Sequence, residues 1–167
     1  RVVNGRRRGG ELYRIGLARA STVFFQNMDD RALFIDQNLV RPEQCAFVPG
    51  SGIDCAHFAP DDRPQDNARI FLMIGCLLRD KGVLEYVEAA RQLKSEYPDR
   101  RFQLLGFLDV ENRTAISRAQ VEQWVADGVI EYLPPTDDVR PFLNAADCIV
   151  LPSYREGTSR VLLEAAA

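Results

Sequence analysis

The sequence predicts an α/β protein built on a doubly wound parallel sheet. Short, near-continuously apolar segments alternate along the chain with longer segments whose apolar residues recur at helical spacing. A strand with one solvent-exposed face alternates apolar and polar residues, and these strands do not. We therefore expect helices on both faces of the sheet. Right-handed crossovers then place every strand-to-helix loop at one edge of the sheet, where such folds bind ligands.

The first part of the chain carries the weaker pattern. It predicts a helix at 10–20, a buried strand at 21–27, an amphipathic helix at 29–38, and a strand at 45–54 that runs into a turn. In that turn Gly50 and Gly52 flank Ser51, and glycines let a backbone come close to a ligand, although the pattern alone favours an ordinary tight turn. Residues 59–68 hold two prolines and almost nothing apolar, which is typical of a linker. We therefore expect two domains, at residues 1–60 and 61–167.

The alternation becomes regular after this linker. Pro98 stops one helix, and Ser117 with Gln120 forms a capping-box pair that opens the next. Gly128 stands where a C-terminal cap glycine belongs. The predicted order is a strand at 69–75, a helix at 83–97, a strand at 101–106, a helix between Ser117 and Gly128, a strand at 129–133, a helix at 137–146, a strand at 148–153 and a final helix capped by Thr158 or Ser159.

Composition narrows the function classes. The net charge of −3 over 167 residues gives no indication of a nucleic-acid partner. Four cysteines without a C-x-x-C pair, together with a single histidine, argue against a zinc site and favour reduced thiols in the cytoplasm. The longest apolar run, residues 70–78, is too short to cross a bilayer, and no secretory signal opens the chain.

The N-terminal segment is locally basic. Its first nineteen residues hold six arginines and one acid. Such a stretch suits peripheral contact with anionic headgroups at the inner face of the membrane, or with a phosphorylated acceptor. A solvated terminus is the simpler interpretation, and we favour it.

Two loops at the predicted ligand-binding edge carry candidate site residues. Lys81 and Gly82 stand directly before a helix, so a cation joins free amides and the positive end of the helix dipole, which suits a phosphate. On spacing alone, a solvated helix start is the alternative. Glu156 precedes the turn at Gly157 and Thr158, where helix capping is the alternative role. Glu164 interrupts an apolar run, and a buried carboxylate there needs donors, either ligand hydroxyls or backbone amides.

Four segments together resemble the retaining GT-B glycosyltransferases of family 4, also called glycosyl transferases group 1. They are "VPGSGIDCAHFAP", "LLRDKGVLEYVEAARQLK", "TDDVRPFLNAADCIVLPS" and "PSYREGTSRVLLEA", the last with an E-x7-E element. They run in the family's order, and the resemblance is greatest to bacterial enzymes that extend lipid-linked surface-polysaccharide precursors. It implies that residues 61–167 are an incomplete C-terminal, nucleotide-sugar-binding Rossmann-like domain of a GT-B fold, and that residues 1–60 are the tail of the N-terminal, acceptor domain.

The resemblance implies a role for each candidate residue. Lys81 contacts the donor diphosphate and Glu156 holds hydroxyls of the donor sugar, so these two are the predicted catalytic residues. Glu164 accepts hydrogen bonds from the ribose. The other predicted donor-binding residues are Gly157, Thr158, Ser159, Arg79, Gly50, Ser51 and Gly52. No metal and no cofactor is expected, because cations and helix dipoles meet the charge of the leaving diphosphate.

One position departs from the family pattern. Cys76 stands where the family usually has an arginine directly after the glycine of the first strand. Losing one preorganised cation should cost on the order of a hundredfold in rate. Arg79, in the same loop, is the candidate substitute.

The implied activity is hexosyl transfer from a nucleotide-diphosphate sugar to a lipid-linked glycan acceptor, with retention. We expect the present chain to hold mainly the donor-binding half and to be inactive alone, with an open sheet edge that invites dimerisation. The alternative is a non-catalytic, nucleotide-sugar-binding half that needs a separate acceptor subunit. A nicotinamide-dependent dehydrogenase is disfavoured, since G-x-G-x-x-G does not follow the first strand.

Overall fold

The chain folds as two compact units. A computed structural model describes residues 3–60 and 69–167, with side chains from residue 10 onwards. The units divide between Gly52 and Ile53. The boundary that the sequence suggests, after residue 60, lies further along the chain, and residues 61–68 of the predicted linker fall outside the described residues. Every helix among the described residues is too short or too polar to span a lipid bilayer.

Within its described residues, the first unit contains two parallel strands and two α-helices, with a 3₁₀ turn at Pro42–Gln44. They are α1 (Val3–Leu17), β1 (Val23–Phe25), α2 (Met28–Asp36) and β2 (Cys45–Phe47). The side chain of Asn27 caps α2 by accepting a hydrogen bond from the backbone N–H of Asp30 at 2.6 Å. Phe25 is buried against Phe34 of α2, but Phe24 is 65% exposed. The prediction that β1 is a buried strand is therefore wrong for one face, because successive side chains of a strand point to opposite sides.

The second unit contains one four-stranded sheet. Its elements are β3 (Ile70–Ile74), α3 (Val83–Glu96), β4 (Arg101–Leu105), α4 (Arg118–Ala126), β5 (Glu131–Leu133), α5 (Arg140–Ala145), β6 (Cys148–Ile149) and α6 (Arg160–Ala166). The strand order is β5-β4-β3-β6, and every pair is parallel. The order reverses direction between β3 and β6, which is the switch point at which open α/β sheets bind ligands.

Helices cover both faces of this sheet, as the sequence predicts. Met73 of β3 faces one core, which holds the buried residues of α3 and α4, among them Trp124. Its neighbours Leu72 and Ile74 face the opposite core, against α5 and α6. The alternation along β3 thus divides its apolar side chains between two layers, and the predicted doubly wound α/β fold is confirmed.

The predicted helix caps of the second unit agree with the structure. Ser117 Oγ accepts a hydrogen bond from the backbone N–H of Gln120 at 3.3 Å, and Gly128 ends α4 with a φ of 70°. Of the two candidates for the last cap, Ser159 is the one that accepts, from the N–H of Leu162. The last strand is shorter than predicted: the sheet ladder of β6 covers Cys148–Ile149 alone.

Tyr86 ties α3 to the sheet through a buried hydroxyl. The hydroxyl oxygen lies 2.8 Å from the carbonyl oxygen of Phe71 and 2.9 Å from that of Gln103, so it bridges β3 and β4. The side chain is 2% exposed, and burial raises the pKa of the hydroxyl. It therefore stays protonated and able to donate at neutral pH.

Replacing Tyr86 with phenylalanine should lower the free energy of unfolding by about 1–2 kcal/mol. The substitution removes the only polar atom of the side chain and keeps the packed ring. Urea denaturation followed by circular dichroism measures the change. Tyr97→Phe is the matched control, because Tyr97 lies at the end of the same helix and is 47% exposed. Equal stability of the two variants would show that the bridge contributes nothing.

Candidate functional site

The loop that follows β3 is held by the loop that follows β4. The ends of the two strands meet so closely that a Cβ on Gly106 would lie 1.8 Å from the carbonyl oxygen of Gly75. Further on, the backbone N–H of Arg79 donates to the carbonyl of Thr114 at 2.8 Å, and that of Ile116 donates to the carbonyl of Leu77 at 2.8 Å. These bonds set the path of the chain into the short 3₁₀ turn Arg79–Lys81 and the start of α3.

A glycine then brings this loop against the segment that follows β6. Gly82 has a φ of 76°, in the left-handed region, and a Cβ there would lie 2.2 Å from the carbonyl oxygen of Pro152. A side chain at this position would separate the two loops. The loops that follow the neighbouring strands β3 and β6 can therefore come into contact only because residue 82 is a glycine.

Tyr154 adds two bonds between the same loops. Its backbone N–H donates to the carbonyl of Asp80 at 3.1 Å, and its hydroxyl donates to Oε1 of Glu85 at 2.5 Å. The hydrogen bond lowers the pKa of the Glu85 carboxyl and raises the pKa of the Tyr154 hydroxyl. The segment after β6 is thus anchored to the first turn of α3, beside the predicted phosphate-binding lysine.

Lys81 and Glu156 meet at this junction. Lys81 Nζ donates to Glu156 Oε1 at 2.6 Å, and the two side chains are 33% and 25% exposed. The pair lies at the carboxyl edge of the sheet, on the loops that leave β3 and β6 on either side of the switch point. A cation next to a helix N-terminus can hold a phosphate, and a half-buried carboxylate can accept hydrogen bonds from hydroxyls. This junction is the candidate site.

The comparison with family models agrees with this geometry. Residues 68–167 match the model of the glycosyl transferases group 1. The chain belongs to this family. The stretch that matches includes both strands of the switch point and both members of the Lys81–Glu156 pair.

Curated relatives of this group 1 glycosyltransferase chain are bacterial enzymes. It is 29% identical, over 93% of its length, to the N,N'-diacetylbacillosaminyl-diphospho-undecaprenol alpha-1,3-N-acetylgalactosaminyltransferase of Campylobacter jejuni. It is 32% identical, over 72% of its length, to the D-inositol 3-phosphate glycosyltransferase of Arthrobacter sp.. The chain spans 42% of the first relative and 31% of the second.

Solved structures show the same fold. A glycosyltransferase from Rickettsia africae superposes with a TM-score of 0.69 at 17% identity, over 93% of this chain and 44% of that one. Anabaena HepE, solved in complex with UDP and glucose, superposes with a TM-score of 0.68 at 17% identity, over 93% and 45% of the two chains. Both belong to the GT-B class, so the prediction of a partial GT-B fold is confirmed.

Glu164 lies in α6 and is ion-paired within its own helix. Its side chain is 11% exposed, and Arg160 Nη2 donates to its Oε1 at 3.3 Å. The sequence predicts that this carboxylate needs hydrogen-bond donors, and the structure supplies one from the preceding helical turn. Its role towards a ribose stays a prediction.

The remaining predicted residues fall in three places. Arg79 is exposed in the 3₁₀ turn, in the same loop as the exposed Cys76. The segment Gly157–Ser159 joins Glu156 to α6. Gly50 and Gly52 have φ values of 111° and 65°, in the region that favours glycine, within an irregular segment of the first unit. Among the described residues, no three His, Cys, Asp or Glu side chains cluster as a metal site would require.

The sequence does not reveal the residues that hold the site together. Asp80, Glu85 and Tyr154 form two of the bonds that hold the segment after β6, and none of the three stands in a recognisable spacing pattern. A partial signal exists, since Asp80 is next to Lys81 and Tyr154 lies two positions before Glu156. Their positions next to candidate site residues could therefore suggest that Asp80 and Tyr154 lie near the site. The sequence does not show which residues they bind.

Proposed function

We propose that this chain is the donor-binding part of an enzyme that transfers a sugar from a nucleotide-diphosphate sugar to a lipid-linked glycan acceptor. The observation that carries the proposal is the Lys81–Glu156 pair at the switch point of the sheet. A nucleotide-diphosphate sugar has an anionic centre flanked by two groups rich in hydroxyls. A cation and a carboxylate side by side are complementary to its diphosphate and to its sugar.

Each end of the pair has a chemical task in this proposal. The Lys81 ammonium, together with the amides at the start of α3, takes up the charge that develops on the leaving diphosphate. Glu156 accepts hydrogen bonds from the donor sugar and so fixes the orientation of the anomeric carbon. Transfer proceeds with retention and without a metal, as the family resemblance implies, and charge on the leaving group is met by these fixed dipoles and cations.

The names of the relatives support a lipid-linked acceptor. The Campylobacter jejuni relative is named for a diphospho-undecaprenol substrate, and an Escherichia coli relative, 28% identical over 82% of the chain, is a UDP-Gal:alpha-D-GlcNAc-diphosphoundecaprenol alpha-1,3-galactosyltransferase. We extend this acceptor class to the present protein. Peripheral membrane contact would follow from such an acceptor. Inactivity of the chain by itself stays a prediction, which radiolabelled sugar transfer to a lipid-diphosphate acceptor tests.

Calorimetric titration with UDP-, GDP- and ADP-sugars tests donor binding directly. We expect one of them to bind, and Glu164→Gln to weaken that binding by about 1–3 kcal/mol through loss of a charge-assisted hydrogen bond. Glu96→Gln is the matched control, because it removes the same charge at the far end of α3. Absence of binding across the panel would contradict the proposal, and an unchanged affinity in Glu164→Gln would remove Glu164 from the donor site.

A further inference from the structure

We infer that Glu156 makes the site discriminate between a donor that carries its sugar and a bare diphosphate. This inference rests on the proposed function and assigns Glu156 a second effect. Besides holding the sugar, the carboxylate competes with phosphate for Lys81. The geometry that points to this is the direct ion pair between Lys81 Nζ and Glu156 Oε1, at 2.6 Å.

The ion pair neutralises the lysine before any ligand arrives. Both side chains are partly shielded from water, with exposures of 33% and 25%, so their charges interact more strongly than at an open surface. A diphosphate that approaches Lys81 meets a carboxylate that already accepts a hydrogen bond from the ammonium. It must displace that carboxylate or share the cation with it, and either choice places two anionic groups close together.

The two loops that carry the pair are joined close to it. Gly82 rests against Pro152, and Tyr154 bonds both to Asp80 and to Glu85. The segment that leads to Glu156 is therefore fixed to the turn that carries Lys81. Because these contacts join the two loops within a few residues of the pair, the carboxylate stays within reach of the ammonium and the competition persists.

A sugar on the diphosphate changes the balance. Its hydroxyls donate hydrogen bonds to Glu156, which replace those that the carboxylate gives up when Lys81 turns to the phosphate. A bare diphosphate offers no such donors. The complete donor is therefore held by both members of the pair, whereas the nucleoside diphosphate left after transfer is opposed by one of them, which favours its release.

Inorganic pyrophosphate is a suitable probe, because it carries the diphosphate charge without a nucleotide or a sugar. We expect E156Q to bind pyrophosphate about tenfold more tightly than the unsubstituted chain, since the amide keeps the shape of the side chain and loses its charge. The same variant should bind the best nucleotide sugar of the panel about tenfold more weakly. Opposite signs for the two ligands are the signature of the proposal.

Two further variants isolate the effect. E131Q removes one carboxylate charge at the other end of the sheet, where Glu131 pairs with Arg101 at 2.7 Å, and it should leave pyrophosphate affinity unchanged. In a K81M background, E156Q should produce no gain. Equal or weaker pyrophosphate binding by E156Q, in a chain that does bind a nucleotide sugar, would overturn the inference. Absence of any nucleotide-sugar binding would instead overturn the proposed function.

Discussion

Gly82→Ala should strongly destabilise the protein, lowering the free energy of unfolding by about 2–5 kcal/mol. The new Cβ would lie 2.2 Å from the carbonyl oxygen and 2.6 Å from the carbonyl carbon of Pro152, and both are backbone atoms. Alanine is also disfavoured at a φ of 76°. The loops after β3 and β6 must then move apart, so donor binding should weaken together with stability.

Gly128→Ala separates the effect of the positive φ from the effect of the steric collision. Gly128 has a φ of 70°, and a Cβ there would meet nothing within 4 Å. Alanine at this position would be strained by the positive φ but would not collide with another atom. We therefore expect the free energy of unfolding to fall by about 1 kcal/mol. Urea denaturation of both variants, with circular dichroism as the signal, measures the difference. Equal losses would show that the approach of Gly82 to Pro152 is not a constraint on the fold.

Lys81→Met should abolish most donor binding, weakening the best nucleotide sugar by about 10- to 150-fold, or about 1.5–3 kcal/mol. Methionine keeps an unbranched apolar stem and loses the ammonium. The diphosphate loses its cation, and it then meets the Glu156 carboxylate without the ammonium that lies 2.6 Å from that carboxylate and offsets its charge. Calorimetric titration of the nucleotide sugar measures the change.

Lys94→Met is the matched control for this substitution. Lys94 belongs to the last turn of α3 and donates to the carbonyl of Gly128 at 2.7 Å. It therefore lies at the opposite end of the helix from Lys81. Its replacement should leave donor affinity within twofold. Similar affinities for the two variants would mean that the donor binds elsewhere.

The fold of the second unit was predictable because its signals are local. A few neighbouring positions are enough to identify each element. This holds for the apolar strands Ile70–Ile74 and Arg101–Leu105 and for the helix caps at Ser117 and Gly128. The ends and the exposed faces of short strands are harder to predict from the sequence. The ladder of β6 stops at Ile149 although apolar residues continue, and in β1 the exposure of Phe24 depends on what covers each face of the strand.

The sequence could suggest that Lys81 and Glu156 share an edge of the sheet, but it could not give the architecture of the candidate site. Lys81 and Glu156 follow strands that the parallel order brings together, so their shared edge could be inferred from the alternation of elements. Their direct pairing could not, because it depends on contacts across 75 positions of sequence. The hydrogen bond from Tyr154 to Glu85 joins residues 69 positions apart, and no periodic pattern in the sequence indicates it. Packing of this kind is specified by the whole core and not by any short segment.

The burial of Trp124 gives the protein an intrinsic optical reporter. It is the sole tryptophan of the chain, it lies in α4, and it is 8% exposed within the core shared with α3. Fluorescence excited at the red edge of protein absorption, where tyrosine contributes little, therefore follows the second unit alone. Ellipticity follows the helices of both units, so a difference between the two unfolding curves would show whether the units lose their structure together or in turn.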